Sequence, residues 1–159
     1  MKKPLIIGSW AALALVLGWV LWQPPRDHIY AAASYNPHNG DPCALNLRVS
    51  VPINLIASGQ VITGVTGKYT YICHLAIVSA TAQNVALVEG TGAICASGTA
   101  GMAGGATAAT GWNFGATNQS IVEGNGSAWA IATASTGTNV CLLLSGTGQT
   151  SGVIQFVQQ

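Results

Sequence analysis

The stretch Lys68-Tyr69-Thr70-Tyr71-Ile72-Cys73-His74-Leu75-Ala76-Ile77-Val78-Ser79-Ala80 is the clearest strand in the chain. Read at period two, Tyr69, Tyr71, Cys73, Leu75 and Ile77 fall on one face, and Thr70, Ile72, His74, Ala76 and Val78 on the other. Aromatic and β-branched side chains suit a pleated, half-buried surface. The second face is apolar apart from His74, which predicts a central strand covered on both sides.

Working outward, Thr66-Gly67 turns the chain into this strand. Before it, Ala44 to Val51 alternates, with Leu45, Leu47, Val49 and Val51 inward and Asn46, Arg48 and Ser50 outward. That pattern predicts a first strand with one wet face. Pro52, which lacks an N–H, ends this strand or marks a sheet edge. Ile53–Ala57 and Gln60–Val65 read as short strands around Ser58-Gly59.

After the central strand, Asn84–Glu89 reads as another, with Val85 and Leu87 on one side. Gly90–Gly105, rich in Gly, Ala, Ser and Thr, reads as a loop tethered by Cys95. Trp112 and Phe114 anchor the next segment. Gln119–Glu123 and Ser127–Ala134 flank Gly124-Asn125-Gly126, a hairpin signal. Asn139–Ser145 and Gly152–Gln158 close the series. About eight short strands with regular turns predict an all-β domain, a β-sandwich or jelly roll, over residues 43–159.

Ahead of this domain, Lys2-Lys3 precedes an uncharged apolar run from Leu5 to Trp22. The run predicts an N-terminal hydrophobic helix within residues 1–26, and 27–42, with its Asn, Pro and Gly, reads as a linker. Two readings stand. One is a signal peptide cut after Ala31-Ala32-Ala33. The other is an uncleaved signal-anchor that holds the membrane through residues 5–22. Both place the β domain outside the cytoplasm.

Charged residues make up 6% of the chain, against about 25% in an average soluble domain. Beyond Tyr35 the basic residues are Arg48 and Lys68, too few to neutralise a row of phosphates, which argues against nucleic acid. In an exported chain, the four cysteines Cys43, Cys73, Cys95 and Cys141 imply disulfides. Cys73 and Cys141 lie in apolar strands while Cys43 and Cys95 lie in or beside loops. Their placement suggests Cys73–Cys141 with Cys43–Cys95, the other two connectivities remaining open. Zinc is disfavoured, because there is no Cys-x-x-Cys or Cys-x-x-His pair.

Chemistry-bearing residues in the domain are few. Glu89 and Glu123 stand at strand ends beside glycine, where a carboxylate more often caps a turn than forms the pair that glycoside hydrolysis needs. His74 reads as a hydrogen-bonded sheet histidine. Gly67-Lys68 lacks the earlier glycine and the following Ser or Thr of a phosphate-binding loop. The residues therefore predict a non-enzymatic protein without a cofactor. Trp112, Phe114 and Trp129 are candidate ligand-contact aromatics for a carbohydrate or a receptor, against the plainer reading that they are core anchors.

The succession Thr66-Gly67-Lys68-x-x-Tyr71-Ile72-Cys73, Glu89-Gly90-Thr91-Gly92-x-x-Cys95, Asn139-Val140-Cys141-Leu142 and Gly152-x-x-Gln155-x-Val157-Gln158 resembles small cysteine-containing β-rich proteins encoded by tailed phages and environmental viral sequences. The resemblance spans Cys43 to Gln159. It implies a virion-associated or exported structural protein, such as a capsid decoration or fibre component, whose partners are its own copies or other surface proteins.

Overall fold

The computed structural model of the protein describes residues 40–159. The expected N-terminal helix and most of the expected linker lie outside these residues. Ten strands follow a single turn of helix, α1 (Pro42–Leu45). They are β1 (Val49–Leu55), β2 (Gly59–Ile62), β3 (Thr70–Ser79), β4 (Gln83–Thr91), β5 (Ser97–Ala103), β6 (Trp112–Phe114), β7 (Gln119–Glu123), β8 (Ile131–Ala132), β9 (Asn139–Leu144) and β10 (Thr150–Gln158). One sheet runs β1-β10-β3-β7 with β8 also on β3; the other runs β2-β9-β4-β5 with β6 also on β4. All neighbours are antiparallel. One core, drawing Ile72, Leu75 and Ile154 from the first sheet and Val85, Leu87 and Leu142 from the second, joins them as a sandwich.

Ten strands fill eight sheet positions. β7 pairs with Leu75–Ser79 and β8 with Tyr71 and Ile72, both antiparallel to β3, so they run the same way along one edge. In the second sheet β5 and β6 share the edge of β4 in the same manner. This corrects the expected hairpin at Gly124-Asn125-Gly126, where the chain loops out and rejoins the same edge. Gly126 N–H donates to the Cys73 carbonyl at 2.9 Å and Ala130 N–H to the Ile72 carbonyl at 2.9 Å. Gly124 has φ +74, and a Cβ there would collide with the Cys73 carbonyl oxygen. The glycine permits a close run along β3, not a reversal.

Two further expectations are corrected. Ala44 to Val51 is not one strand. Asp41 accepts the Cys43 N–H at 2.9 Å and Pro42 opens the first turn, so capping chemistry makes a helix where alternation suggested a strand. Leu47 is consequently 97% exposed. Pro52 does lie on an edge strand, β1. The expected Gly90–Gly105 loop contains β5, whose outer residues are exposed; backbone pairing to β4, with no apolar alternation, holds it.

The quoted central strand is central, between β10 and β7, but its two faces are not those of a plain period-two reading. The partner register passes from Gln155↔His74 to Phe156↔Ile72, leaving Cys73 as the extra residue of a β-bulge. Before the bulge Thr70 and Ile72 point inward; after it Leu75, Ile77 and Ser79 do. Tyr71 and Cys73 are thereby turned outward, into a small cluster with Cys43 and Val157.

The disulfides are Cys43–Cys73, with Cα atoms 5.5 Å apart, and Cys95–Cys141, at 6.1 Å. The favoured pairing of Cys73 with Cys141 is thus overturned. On β9, Val140, Leu142 and Leu144 enter the core while Cys141 faces away with Ala86, Val88 and Cys95. Cys73 faces away from the other sheet, so a bond between the two would have to pass through the core. Each crosslink instead clamps a short segment to the outside of its own sheet. As expected, Cys95 does tie its loop to a strand.

Inner-facing residues grade from polar to apolar and back along β4: Gln83, Val85, Leu87, Glu89. Gln83 Nε2 meets Ser79 Oγ at 2.8 Å and Thr150 Oγ1 at 2.9 Å, closing one end of the sandwich. Thr70 N–H donates to Thr133 Oγ1 at 3.0 Å toward the other end. The donors at these ends are paired, as buried polar groups usually are, while Gln83 Oε1 is buried without a partner.

Non-reducing peptide mapping should recover Cys43–Cys73 and Cys95–Cys141 as the two linked pairs. The enclosed intervals, 30 and 46 residues, correspond to about 3.5–4 kcal/mol each in the chain-entropy estimate. Replacing Cys141 by Ala should therefore remove a large share of a domain stability of roughly 5–15 kcal/mol, read as a fall in denaturation midpoint. A peptide holding Cys73 linked to Cys141 would contradict the fold.

Candidate functional site

The bulge that turns Tyr71 and Cys73 outward also builds the most distinctive surface of the domain. Tyr69 and Tyr71 emerge at the start of β3, with ring centroids 6.4 Å apart and planes at 60°. Trp129, carried by the excursion between β7 and β8, stands 6.1 Å from Tyr71 at 70°. Tyr69 is 40% and Trp129 48% exposed. Gly40, Pro42, Tyr71, Trp129 and Gln159 line a cleft of about 230 Å³ here.

Several contacts fix this surface. The Cys43–Cys73 bond pins α1 beside Tyr71. The Asp41 carboxylate accepts Cys43 N–H at 2.9 Å and Trp129 N–H at 3.2 Å, tying the helix start to the excursion. Arg48 donates to the Gly126 carbonyl in the same excursion. Gln159 continues the β10 ladder, its N–H donating to the Tyr69 carbonyl at 3.2 Å, and its Oε1 accepts Asn46 Nδ2 at 3.0 Å.

Of the three aromatics singled out in the sequence, Trp129 alone reaches this cleft. Phe114 is buried in the core and Trp112 packs against it, both on β6 of the other sheet. Those two rings border a separate cleft of about 350 Å³ with Gln119, Ser120 and Ile121. A third groove, about 610 Å³, runs beside β1 and the end of β10, between Leu47, Val49, Val65, Lys68 and Phe156. The tyrosines were missed as site residues because period two placed them with Leu75 and Ile77. Their one signal was adjacency, two aromatic rings two residues apart at the strand start.

Glu89 and Glu123 are not brought together. They lie in different sheets, and Glu89 is only 3% exposed. Its carboxylate accepts Ala134 N–H at 2.8 Å, Thr138 Oγ1–H at 2.8 Å and Ser135 N–H at 3.3 Å. A carboxylate so enclosed is not open to a substrate; it fastens the loop between β8 and β9. His74 Nδ1 meets the Gly124 carbonyl at 2.9 Å, as a sheet histidine would. Both crosslinks bury all four cysteines, and among the described residues no three His, Cys, Asp or Glu side chains converge as metal ligands.

Comparison with protein-family models, with curated proteins and with solved structures finds no match to this chain.

Replacing Glu89 by Ala strands three donors at the end of the core. Hydrogen bonds to charged groups contribute about 1.5–3 kcal/mol each, with incomplete additivity. The variant should lose roughly 2–4 kcal/mol, a fall in melting temperature of roughly 10 °C, with Glu89→Gln between it and wild type. Calorimetry of the three proteins checks this; an unchanged transition would remove Glu89 from its structural role.

Proposed function

We propose that the chain is a non-enzymatic, exported structural protein displayed on a virion or envelope surface, as a capsid decoration or fibre component. The observation that carries the reading is the strand order. With the split edges counted once, eight positions fill two four-position sheets, β1-β10-β3-β7 and β2-β9-β4-β5, an order that matches the winding of a jelly roll. Viral capsid and lectin domains use that winding, a fold-level analogy that bears on role without fixing it. Two disulfides suit an oxidising compartment. Among the described residues no helix is long and apolar enough to cross a membrane; the apolar run 5–22, as signal peptide or anchor, supplies export. The groove beside Leu47 and Val49 offers apolar surface for neighbouring copies or other surface proteins.

A second reading, a carbohydrate- or receptor-binding module, is favoured by the exposure of Trp129 at a cleft.

Particles or envelopes sedimented from the native source should contain the protein by mass spectrometry, and Edman or peptide analysis should give its first residue. Residue 34 at the N-terminus identifies a cleaved signal, residue 1 an anchor. Recovery of the protein only in the cytoplasmic fraction, with four free thiols, would overturn the surface role.

A further inference from the structure

We infer that Tyr71 and Trp129, which line the cleft, with Tyr69 beside Tyr71, form a binding cradle for one ring of a neutral oligosaccharide, an inference that rests on the binding-module reading. Exposed aromatic rings are costly to leave in water, and in this fold two of them are held there by covalent and hydrogen-bonded clamps. The planes meet at 60° and 70°, so they make walls, not a flat platform. The cleft of about 230 Å³ is smaller than the ~300–1,000 Å³ of pockets for drug-sized ligands, a scale that suits one ring of a longer chain.

The polar groups around the cradle choose the ligand chemistry. The two phenol hydroxyls, the Trp129 indole N–H and Gln159 Nε2 have no protein partner among the described residues. All four are neutral, and together they offer both donors and acceptors. Asp41, beside the cleft, already holds the Cys43 and Trp129 amides. Its negative charge disfavours an anionic ligand. A sugar ring presents what the site complements: C–H faces for the aromatic rings, and hydroxyls for the phenols and amide. Proline-rich peptides also dock on aromatic grooves and can pair these donors through their carbonyls, but, short of N–H groups, they offer little to the phenol oxygens.

Preorganisation strengthens the case. Ordering loops on binding costs free energy that a rigid site avoids. The cradle's three supports are the Cys43–Cys73 bond, which holds α1 to β3, and the Asp41 bridge and Arg48 contact, which both hold the β7–β8 excursion.

The test uses oxidised full-length protein, titrated with soluble oligosaccharides of glucose, galactose, mannose, xylose and N-acetylglucosamine, followed by calorimetry. At least one series should bind. Trp129→Ala should weaken it tenfold or more and Tyr69→Ala several-fold, while Trp112→Ala leaves it unchanged. In wild type, saturation-transfer resonance should place sugar protons against the Trp129 ring, which keeps the test valid if a variant misfolds. Absence of binding across the panel, contacts at other rings, or Trp129→Ala binding as tightly as wild type would each overturn the inference. So would binding of a proline-rich peptide alone, or retention on crystalline cellulose or chitin without binding of soluble chains. Particle-bound protein that binds no sugar leaves the structural role standing, and sugar-binding protein absent from particles leaves the cradle standing.

Discussion

One extra residue in β3 governs where this domain keeps its side chains. In a strand, facing is decided by counting, and a single unpaired residue inverts the count for everything beyond it. Cys73 is that residue. Without it, Leu75 and Ile77 would share a face with Tyr69 and Tyr71, and either the core or the aromatic surface would be lost. With it, the strand presents Thr70 and Ile72 to the core, then Leu75, Ile77 and Ser79, while both tyrosines remain outside. The bulge residue is itself a half-cystine, so the irregular point in the ladder is also the point that receives a crosslink.

The location of the two crosslinks divides labour between covalent and apolar stabilisation. Neither disulfide spans the sandwich; each faces away from the shared core. The sheets are held together by burial of residues such as Ile72, Leu87, Leu142 and Ile154, each contributing about 1.5–3 kcal/mol. The disulfides act on the periphery, one on the short helical turn α1 and one on the glycine-rich β4–β5 connection. Short segments outside the shared core gain little from it to offset their ordering entropy, and a covalent tether lowers that cost. Ile94 and Cys95, both at positive φ, show how tightly this connection is turned beside its bond.

Scarcity of charge shapes the rest. The domain's few ionisable groups mostly serve as fasteners: Glu89 for one loop, Asp41 for α1 and Trp129, Arg48 for the β7–β8 excursion. Surface chemistry is then left to hydroxyls, amides and rings.

The sequence alone determined the all-β class, most of the strand segments and the crosslinked character of the domain. Those features follow from local alternation, turn residues and composition, all of which are readable in neighbouring positions. Gln119–Glu123 and Asn139–Leu144 are strands where alternation and apolar content placed them. Glu89 was legible as a capping carboxylate, although its loop, forty-odd residues away in sequence, was not. Tertiary structure decided the disulfide pairing, the fate of Gly124-Asn125-Gly126 and the meeting of Tyr71 with Trp129. Each depends on which residue lies opposite which across a ladder. A bulge shifts that relation by one without leaving a mark in the strand's own composition. Tyr71 meets Trp129 only because β8 rejoins the edge that β7 left, a long-range register that no local pattern encodes.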